Sequence, residues 1–234
     1  MRILAIDTTT EACSAALQTG DDVIARAEEP GRGHAERILV LVESVLAEAG
    51  VALGALDGIA ACIGPGAFTG VRISVAVAQG LAFGAGLPVV AVTSLEALAF
   101  ARMLRGASPV LACLDARMAE VYWGCYVADA ERGIRELTGA AVGSPATVEL
   151  PVAAPDAGHA WAGIGRGLAA YPALAARLGL QLGPADDQAL PDAPAIARLG
   201  SLRFARGDGL DPAALAPLYL RNAVALTESQ RGLR

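Results

Sequence analysis

Two short segments of this 234-residue chain carry groups suited to binding a nucleotide. The first is Asp7-Thr8-Thr9, which ends a predicted apolar strand. The second is a glycine-rich loop that stands between the apolar run 58–63 and a long apolar helix. Such a loop gathers backbone N–H groups at a helix N-terminus, where an anion can accept hydrogen bonds from them. The sequence therefore predicts a candidate nucleotide-binding set consisting of Asp7, Thr8, Thr9, Gly64, Gly66 and Gly70.

A second aspartate turn, at Asp115, follows the first by 108 residues. The apolar run 110–114 precedes it and the alternating run 120–127 follows it, which indicates an internal duplication. Two lobes that each open with a strand and an aspartate turn are typical of the actin-like ATPase fold of sugar kinases, heat-shock chaperones and actin. We therefore predict a two-lobed α/β protein of duplicated, strand-rich lobes, with residues 1–106 in the first lobe and 107–234 in the second.

Several features argue against nucleotide chemistry in the cleft between these lobes. Asp115 is followed by Ala116 and the bulky Arg117, where glycine would be needed to admit a phosphate. Three residues separate Gly66 from Gly70, so the loop does not have the GxGxxG spacing of a dinucleotide site. The alternative is that the aspartates cap strand ends and the glycines permit a tight turn. The sequence leaves both interpretations open.

The histidines and cysteines do not form a metal-binding pattern. Two histidines four residues apart on a helix can bind one ion, but His34 is followed at that spacing by Ile38, and His159 lies far away in the chain. We therefore predict no metal site. The four cysteines lie among apolar neighbours without a CxxC pair, so we predict buried thiols at Cys13, Cys62, Cys113 and Cys125.

The charge composition limits the classes of function. The net charge is −6 and all 18 basic residues are arginine, so a P-loop lysine and a Schiff-base lysine are excluded. No basic block is present, which indicates that any nucleic acid is bound mainly by another chain. Asp7 interrupts what would be the core of a signal peptide, and glycine, glutamine and proline break the longest apolar stretch. We therefore predict a cytoplasmic protein without membrane partners.

Periodicity predicts the elements that position these residues. Three strands in a meander, with a turn at 20–22, precede a helix at 34–49 that Gly50 ends. Strands are predicted at 58–63 and 88–92, and helices after the Gly64 loop, at 94–104, at 168–178 and at 193–206. For the helix at 94–104 we predict Ser94 as N-cap, and no capping box because the third helical residue is then Ala97.

The helices at 34–49 and after the Gly64 loop are more widely apolar than one sheet can cover. On the second helix, Val71, Val75, Ala78 and Ala82 form one side, and a file of small residues at four-residue spacing forms another. Small residues at this spacing allow a second helix to approach closely. We predict a partner interface formed by His34, Ile38, Leu41, Val42, Val45, Ile73, Ala76, Val77, Gly80 and Gly84. That the two helices cover each other within one chain remains an alternative.

Four segments resemble the TsaB family of tRNA threonylcarbamoyladenosine biosynthesis proteins. They are IDTTTEACSAAL from Ile6, GPGAFTGVRISVAVAQGLAFG from Gly64, PVVAVTSLEALA from Pro88 and DARMAEVYWGCY from Asp115. The resemblance implies the actin-like fold without catalytic activity. In the catalytic relative, TsaD, the helix that corresponds to 34–49 carries HxxxH for a metal. This chain keeps His34 and has Ile38 in place of the second histidine.

The resemblance implies a scaffold role in a complex. TsaB-like proteins pair with TsaD through the two helices, self-associate as homodimers through the same surface when alone, and recruit the ATPase TsaE. The chain is accordingly expected to hold no cofactor of its own, to depend on ATP used by the complex, and to meet tRNA only through the complex. The alternative from a different class is an ATP-binding enzyme, a weak ATPase or small kinase, that uses Asp7 and the Gly64 loop in its own cleft.

Overall fold

The computed structural model describes residues 1–151 and 160–221. Its first sheet has five strands in the order β3-β2-β1-β4-β5. The strands are β1 Arg2–Asp7, β2 Cys13–Thr19, β3 Asp22–Glu28, β4 Gly58–Cys62 and β5 Val89–Val92. β1, β2 and β3 are antiparallel neighbours, whereas β4 runs parallel to β1 and β5 runs parallel to β4. The predicted meander is confirmed.

The second sheet repeats the plan of the first around its own aspartate-bearing strand. The strands are β6 Val110–Arg117, β7 Glu120–Asp129, β8 Gly133–Gly143 and β9 Ala162–Ile164, in the order β8-β7-β6-β9. β6 pairs antiparallel with β7 and parallel with β9, as β1 does with β2 and β4. The predicted duplication and two-lobed α/β architecture are therefore confirmed. Neither β8 nor β9 was predicted from the sequence.

Six α-helices cover the two sheets in the described part of the chain. They are α1 His34–Ala49, α2 Phe68–Ala85, α3 Ser94–Met103, α4 Arg166–Ala170, α5 Pro172–Leu178 and α6 Ala193–Ala205. The bounds of α1 agree with the prediction, and Gly50 ends it in a left-handed conformation. The single helix predicted at 168–178 is divided in two, because Pro172 starts a new helix after Tyr171.

The predicted cap of α3 is wrong by one residue. Thr93 is the N-cap, so the third helical residue is Glu96 and a capping box forms. The Glu96 backbone N–H donates to the Thr93 hydroxyl at 3.1 Å, and the Thr93 backbone N–H donates to the Glu96 carboxylate at 2.8 Å.

Helices lie on both faces of the first sheet. α1 and α2 pack on one face, and α6 packs on the other across β1, β2, β4 and β5. Gly200 allows α6 to approach β4, since a Cβ there would lie 2.5 Å from the Ala60 Cβ. The strands of the first sheet lie before the predicted boundary at residue 106 and those of the second sheet lie after it. α6 lies after this boundary in the sequence but packs on the sheet of the first lobe.

α2 joins the core to the protein surface. It is long and apolar enough to cross a membrane by length and composition, with a mean hydropathy of 1.3, and about one third of its residues are buried in the protein. Its predicted core side is confirmed, because Val71, Val75, Ala78 and Ala82 are all buried.

Candidate functional site

The six residues of the predicted nucleotide-binding set lie together where β1, β4 and α2 meet. Thr9 donates from its backbone N–H and its hydroxyl to Asp7 Oδ1, at 2.8 and 2.7 Å. The Thr8 hydroxyl donates to the Gly70 carbonyl at 2.7 Å, and the Ala67 N–H donates to the Thr9 carbonyl at 2.7 Å. The aspartate turn and the glycine loop are therefore bonded directly to each other.

The contact between the turn and the loop leaves no space for a ligand. A Cβ at Gly66 would lie 2.0 Å from the Thr9 carbonyl oxygen, and a Cβ at Gly70 would lie 2.1 Å from the Thr8 carbonyl oxygen. These glycines are required for the close approach of two backbones. Asp7, Thr8 and Thr9 are fully buried. In this conformation a phosphate cannot reach the Asp7 carboxylate.

Asp7 is a carboxyl group held in an apolar environment. Burial raises its pKa from 3.8 to about 6, although the hydrogen bonds from Thr9 act in the opposite direction. Its Oδ2 atom has no hydrogen-bond partner among the described residues. The Thr9 hydroxyl continues the network to the Ser94 hydroxyl at 3.0 Å, and the Cys62 thiol lies 3.2 Å from Ser94. The group is therefore a buried polar network without an opening to solvent.

The second aspartate turn repeats the geometry of the first but is more open. Asp115 Oδ1 accepts the Arg117 backbone N–H at 2.8 Å, as Asp7 accepts that of Thr9. Arg117, Met118 and Ala119 all have φ near +60°, a conformation that costs energy in residues other than glycine. The strained turn holds the Arg117 side chain at the mouth of the cleft between the lobes.

Ion pairs from both lobes line this cleft, whose volume is about 330 Å³. Arg117 of the second lobe lies 2.9 Å from Glu11 of the first. Arg166 of the second lobe donates twice to Glu29 of the first, at 2.7 and 3.1 Å. Glu11, Glu29 and Arg166 were not predicted as site residues, because nothing in their local sequence marks them. The arginines that could receive a phosphate here already have carboxylate partners.

His34 and the four cysteines are positioned by hydrogen bonding and packing within the fold. The His34 Nε2 atom lies 3.2 Å from the Thr10 carbonyl oxygen, and Ile38 is fully buried. Across residues 1–151 and 160–221, no three His, Cys, Asp or Glu side chains lie close enough to hold a metal ion; His159 lies outside these residues. All four cysteines are buried, as predicted, and burial raises their thiol pKa values, to about 11 for Cys125.

The predicted partner interface is wrong for four residues of α1. Ile38, Leu41, Val42 and Val45 are buried in the core of the first lobe, so a partner cannot touch them in this conformation. The reason is that α1 lies across β2 and β3, and the sheet covers the apolar stripe of α1. Leu39 and Val40, which the sequence analysis did not include, are the large apolar residues of α1 that stay exposed.

The predicted residues on α2 form a surface that the described part of the chain does not cover. Ala76, Gly80 and Gly84 are exposed, and no atom of residues 1–151 and 160–221 lies within 4 Å of a Cβ placed at Gly80 or Gly84. Ile73 and Val77 are half-buried beside this file. Phe83, which was not among the predicted interface residues, is 72% exposed. We refer to Ala76, Gly80, Phe83 and Gly84 as the α2 face.

Comparisons with known proteins place this geometry in a family. The family model described as TsaD, tRNA N6-adenosine threonylcarbamoyltransferase, matches residues 25–173. The tRNA threonylcarbamoyladenosine biosynthesis protein TsaB of Escherichia coli is 41% identical over 228 residues, which cover 96% of each chain. The protein of the same name from Haemophilus influenzae is 36% identical over 232 residues, 96% of this chain and 95% of its own. The solved structure of YeaZ from Pseudomonas aeruginosa superposes with a TM-score of 0.82 at 41% identity, over 94% of this chain and 99% of that one.

Proposed function

This chain belongs to the TsaB family of tRNA threonylcarbamoyladenosine biosynthesis proteins, and we propose that it is the non-catalytic subunit that binds a TsaD-like catalytic subunit and keeps it active. The α2 face is the surface through which it binds. The complex recruits a TsaE-like ATPase, which uses the ATP, and the tRNA meets the complex rather than this chain alone. The site of action is the cytoplasm.

The exposure of the α2 face is the main support for this proposal. A helix that is apolar on two sides and covered on one leaves hydrophobic surface in water. The open space over Gly80 and Gly84 allows the backbone of a second helix to come close, and Phe83 supplies a large side chain that a partner can bury. An interface of standard size buries about 1,600 Å² in total. In the absence of the catalytic subunit, a second copy of this chain covers the same face.

Two further observations support a role without catalysis. The Asp7 turn and the Gly64 loop pack against each other without space for a ligand. The arginines at the cleft are paired with Glu11 and Glu29 of the other lobe. A weak ATPase or small kinase acting in this cleft would have to separate both contacts before binding a nucleotide.

The experiment compares tRNA modification by purified TsaD and TsaE homologues, with ATP and threonylcarbamoyl-adenylate, in the presence and absence of this chain. We expect modification only when the chain is added. Gly80→Arg should abolish both activity and co-elution with TsaD, because a long charged side chain cannot fit between two close helices. Gly139→Arg is the matched control, since Gly139 is exposed in β8 of the other lobe and no described atom lies within 4 Å of a Cβ placed there. Equal modification without this chain would refute the proposal.

A further inference from the structure

A cavity of about 470 Å³ opens at the N-terminal end of the α2 face. It lies between the start of α2, the strained turn after β6 and the segment 218–221. Three arginines line it, Arg72, Arg117 and Arg221, together with the aromatic rings of Phe68 and Tyr219. None of the described residues that line it is acidic. The lining is therefore mostly apolar, with arginine as its charged residue type.

The Arg72 side chain is held in position by aromatic rings. Its guanidinium carbon lies 3.3 Å from the centre of the Phe68 ring and 5.3 Å from the centre of the Tyr219 ring. The two ring centres are 6.0 Å apart. An arginine fixed by cation–π contacts presents its planar set of N–H donors in one orientation, so less freedom is lost when an oxyanion binds.

Arg72 differs from the other two arginines of the cavity in having no carboxylate partner among residues 1–151 and 160–221. Arg221 pairs with Glu120, and Arg117 pairs with Glu11 and Asp115. In the described ranges 1–151 and 160–221, Arg72 meets no carboxylate and donates no hydrogen bond. A guanidinium with unused donors beside an apolar recess is suited to one carboxylate.

Arg72 is continuous with the α2 face. It stands one helical turn before Ala76 in the same four-residue file that continues to Gly80 and Gly84. Gly80 lies eight positions after Arg72, which is about 12 Å along the helix axis. A helix packed on the small-residue file therefore reaches the cavity within its next two turns.

We propose that Arg72 receives an Asp or Glu side chain of the partner helix that packs on the α2 face, and that this charge pair fixes the register of the two helices. The inference rests on the proposed function, because it identifies the chemistry of the partner at the same surface. A single carboxylate on an apolar segment fits one unpaired cation in an apolar recess better than a polyphosphate does. Arg72 also covers one face of the Phe68 ring, which limits stacking of a nucleotide base there.

The test measures the affinity of the purified chain for the TsaD homologue by calorimetry at low and high salt. Arg72→Ala should weaken binding roughly tenfold to a hundredfold and reduce its salt dependence. Arg72→Lys should recover only part of the loss, because an ammonium group lacks the planar fork. Arg132→Ala is the matched control, since Arg132 is exposed in the second lobe and its side chain forms no ion pair with a described residue. Thermal melts should show Arg72→Ala folded, with a melting temperature lowered by at most about 4 °C through loss of the cation–π contacts.

The outcomes separate this inference from the proposed function. Arg72→Glu should weaken binding. Asp→Arg or Glu→Arg substitutions, tested one at a time along the partner helix, should restore the binding of Arg72→Glu at one position, and that position identifies the carboxylate that pairs with Arg72. If Gly80→Arg abolishes the complex while Arg72→Ala binds as well as the wild type, the proposed function stands and the role of Arg72 is refuted. If inorganic phosphate or AMP binds the isolated chain and Arg72→Ala removes that binding, the cavity is a small-anion site and the inference is overturned.

Discussion

Replacing Asp7 with asparagine should stabilise the protein at neutral pH. Asp7 is fully buried, and one of its oxygens has no hydrogen-bond partner among the described residues. Burial raises its pKa from 3.8 to about 6, a rise of about two units. At about 1.4 kcal/mol per unit, the ionised carboxylate lowers the free energy of unfolding by about 3 kcal/mol. Asparagine removes that charge and can still accept both hydrogen bonds from Thr9 through Oδ1.

The sign of the pH dependence follows from the direction of this pKa shift. Between pH 4 and 6 the folded protein keeps the Asp7 proton while the unfolded chain loses it, so this group makes the wild type less stable as the pH rises. Above pH 6 Asp7 is ionised in both the folded and the unfolded state, so the full reduction in the free energy of unfolding remains. Asp7→Asn should therefore exceed the wild type by up to about 3 kcal/mol at pH 7.5 and differ little from it at pH 4.

Urea unfolding followed by circular dichroism at pH 4, 5, 6 and 7.5 measures this difference. Asp21→Asn is the control, because it makes the same chemical change at an exposed position, in the turn between β2 and β3. A constant difference between Asp7→Asn and the wild type across the series would refute the reasoning. So would a lower stability of Asp7→Asn at pH 7.5.

Two further predictions concern the contact between the Asp7 turn and the Gly64 loop. Gly66→Ala should lower the free energy of unfolding by several kcal/mol, because the new Cβ would lie 2.0 Å from the Thr9 carbonyl oxygen. Urea unfolding measures the loss, and Gly54→Ala, at an open exposed position, is the control. Titration of the isolated chain with ATP and Mg²⁺ up to millimolar concentration should release no binding heat, since the loop is closed on the turn. Saturable heat that Asp7→Asn removes would instead support the ATP-binding enzyme.

Local patterns predicted most of the elements. α1 has clear apolar spacing and a glycine after its last residue, so both ends could be located. β8 was missed because its residues do not alternate between buried and exposed positions. The cap of α3 was misplaced because Thr93 and Ser94 can both serve as caps, and only the backbone conformation distinguishes them.

Contacts between distant residues could not be predicted in the same way. The sequence grouped the Asp7 turn with the Gly64 loop, but whether a phosphate fits between them depends on a separation of a few ångströms. Periodicity identified the apolar stripe of α1 without showing that the chain's own sheet covers Ile38 and its neighbours. The ion pair of Arg166 and Glu29 joins residues 137 positions apart, and no local pattern links them.

The return of α6 to the first lobe affects the order in which the protein can fold during synthesis. The sheet of β1–β5 is complete in sequence at Val92, yet the helix that covers one of its faces ends at Ala205. At roughly 5–20 residues per second, the ribosome needs on the order of ten seconds to make the intervening chain. During that time the apolar side chains that later contact α6, such as Ile3, Ala60 and Val90, lack that cover. The nascent chain therefore passes through a stage in which this apolar face of the first sheet has been made without the helix that later packs on it.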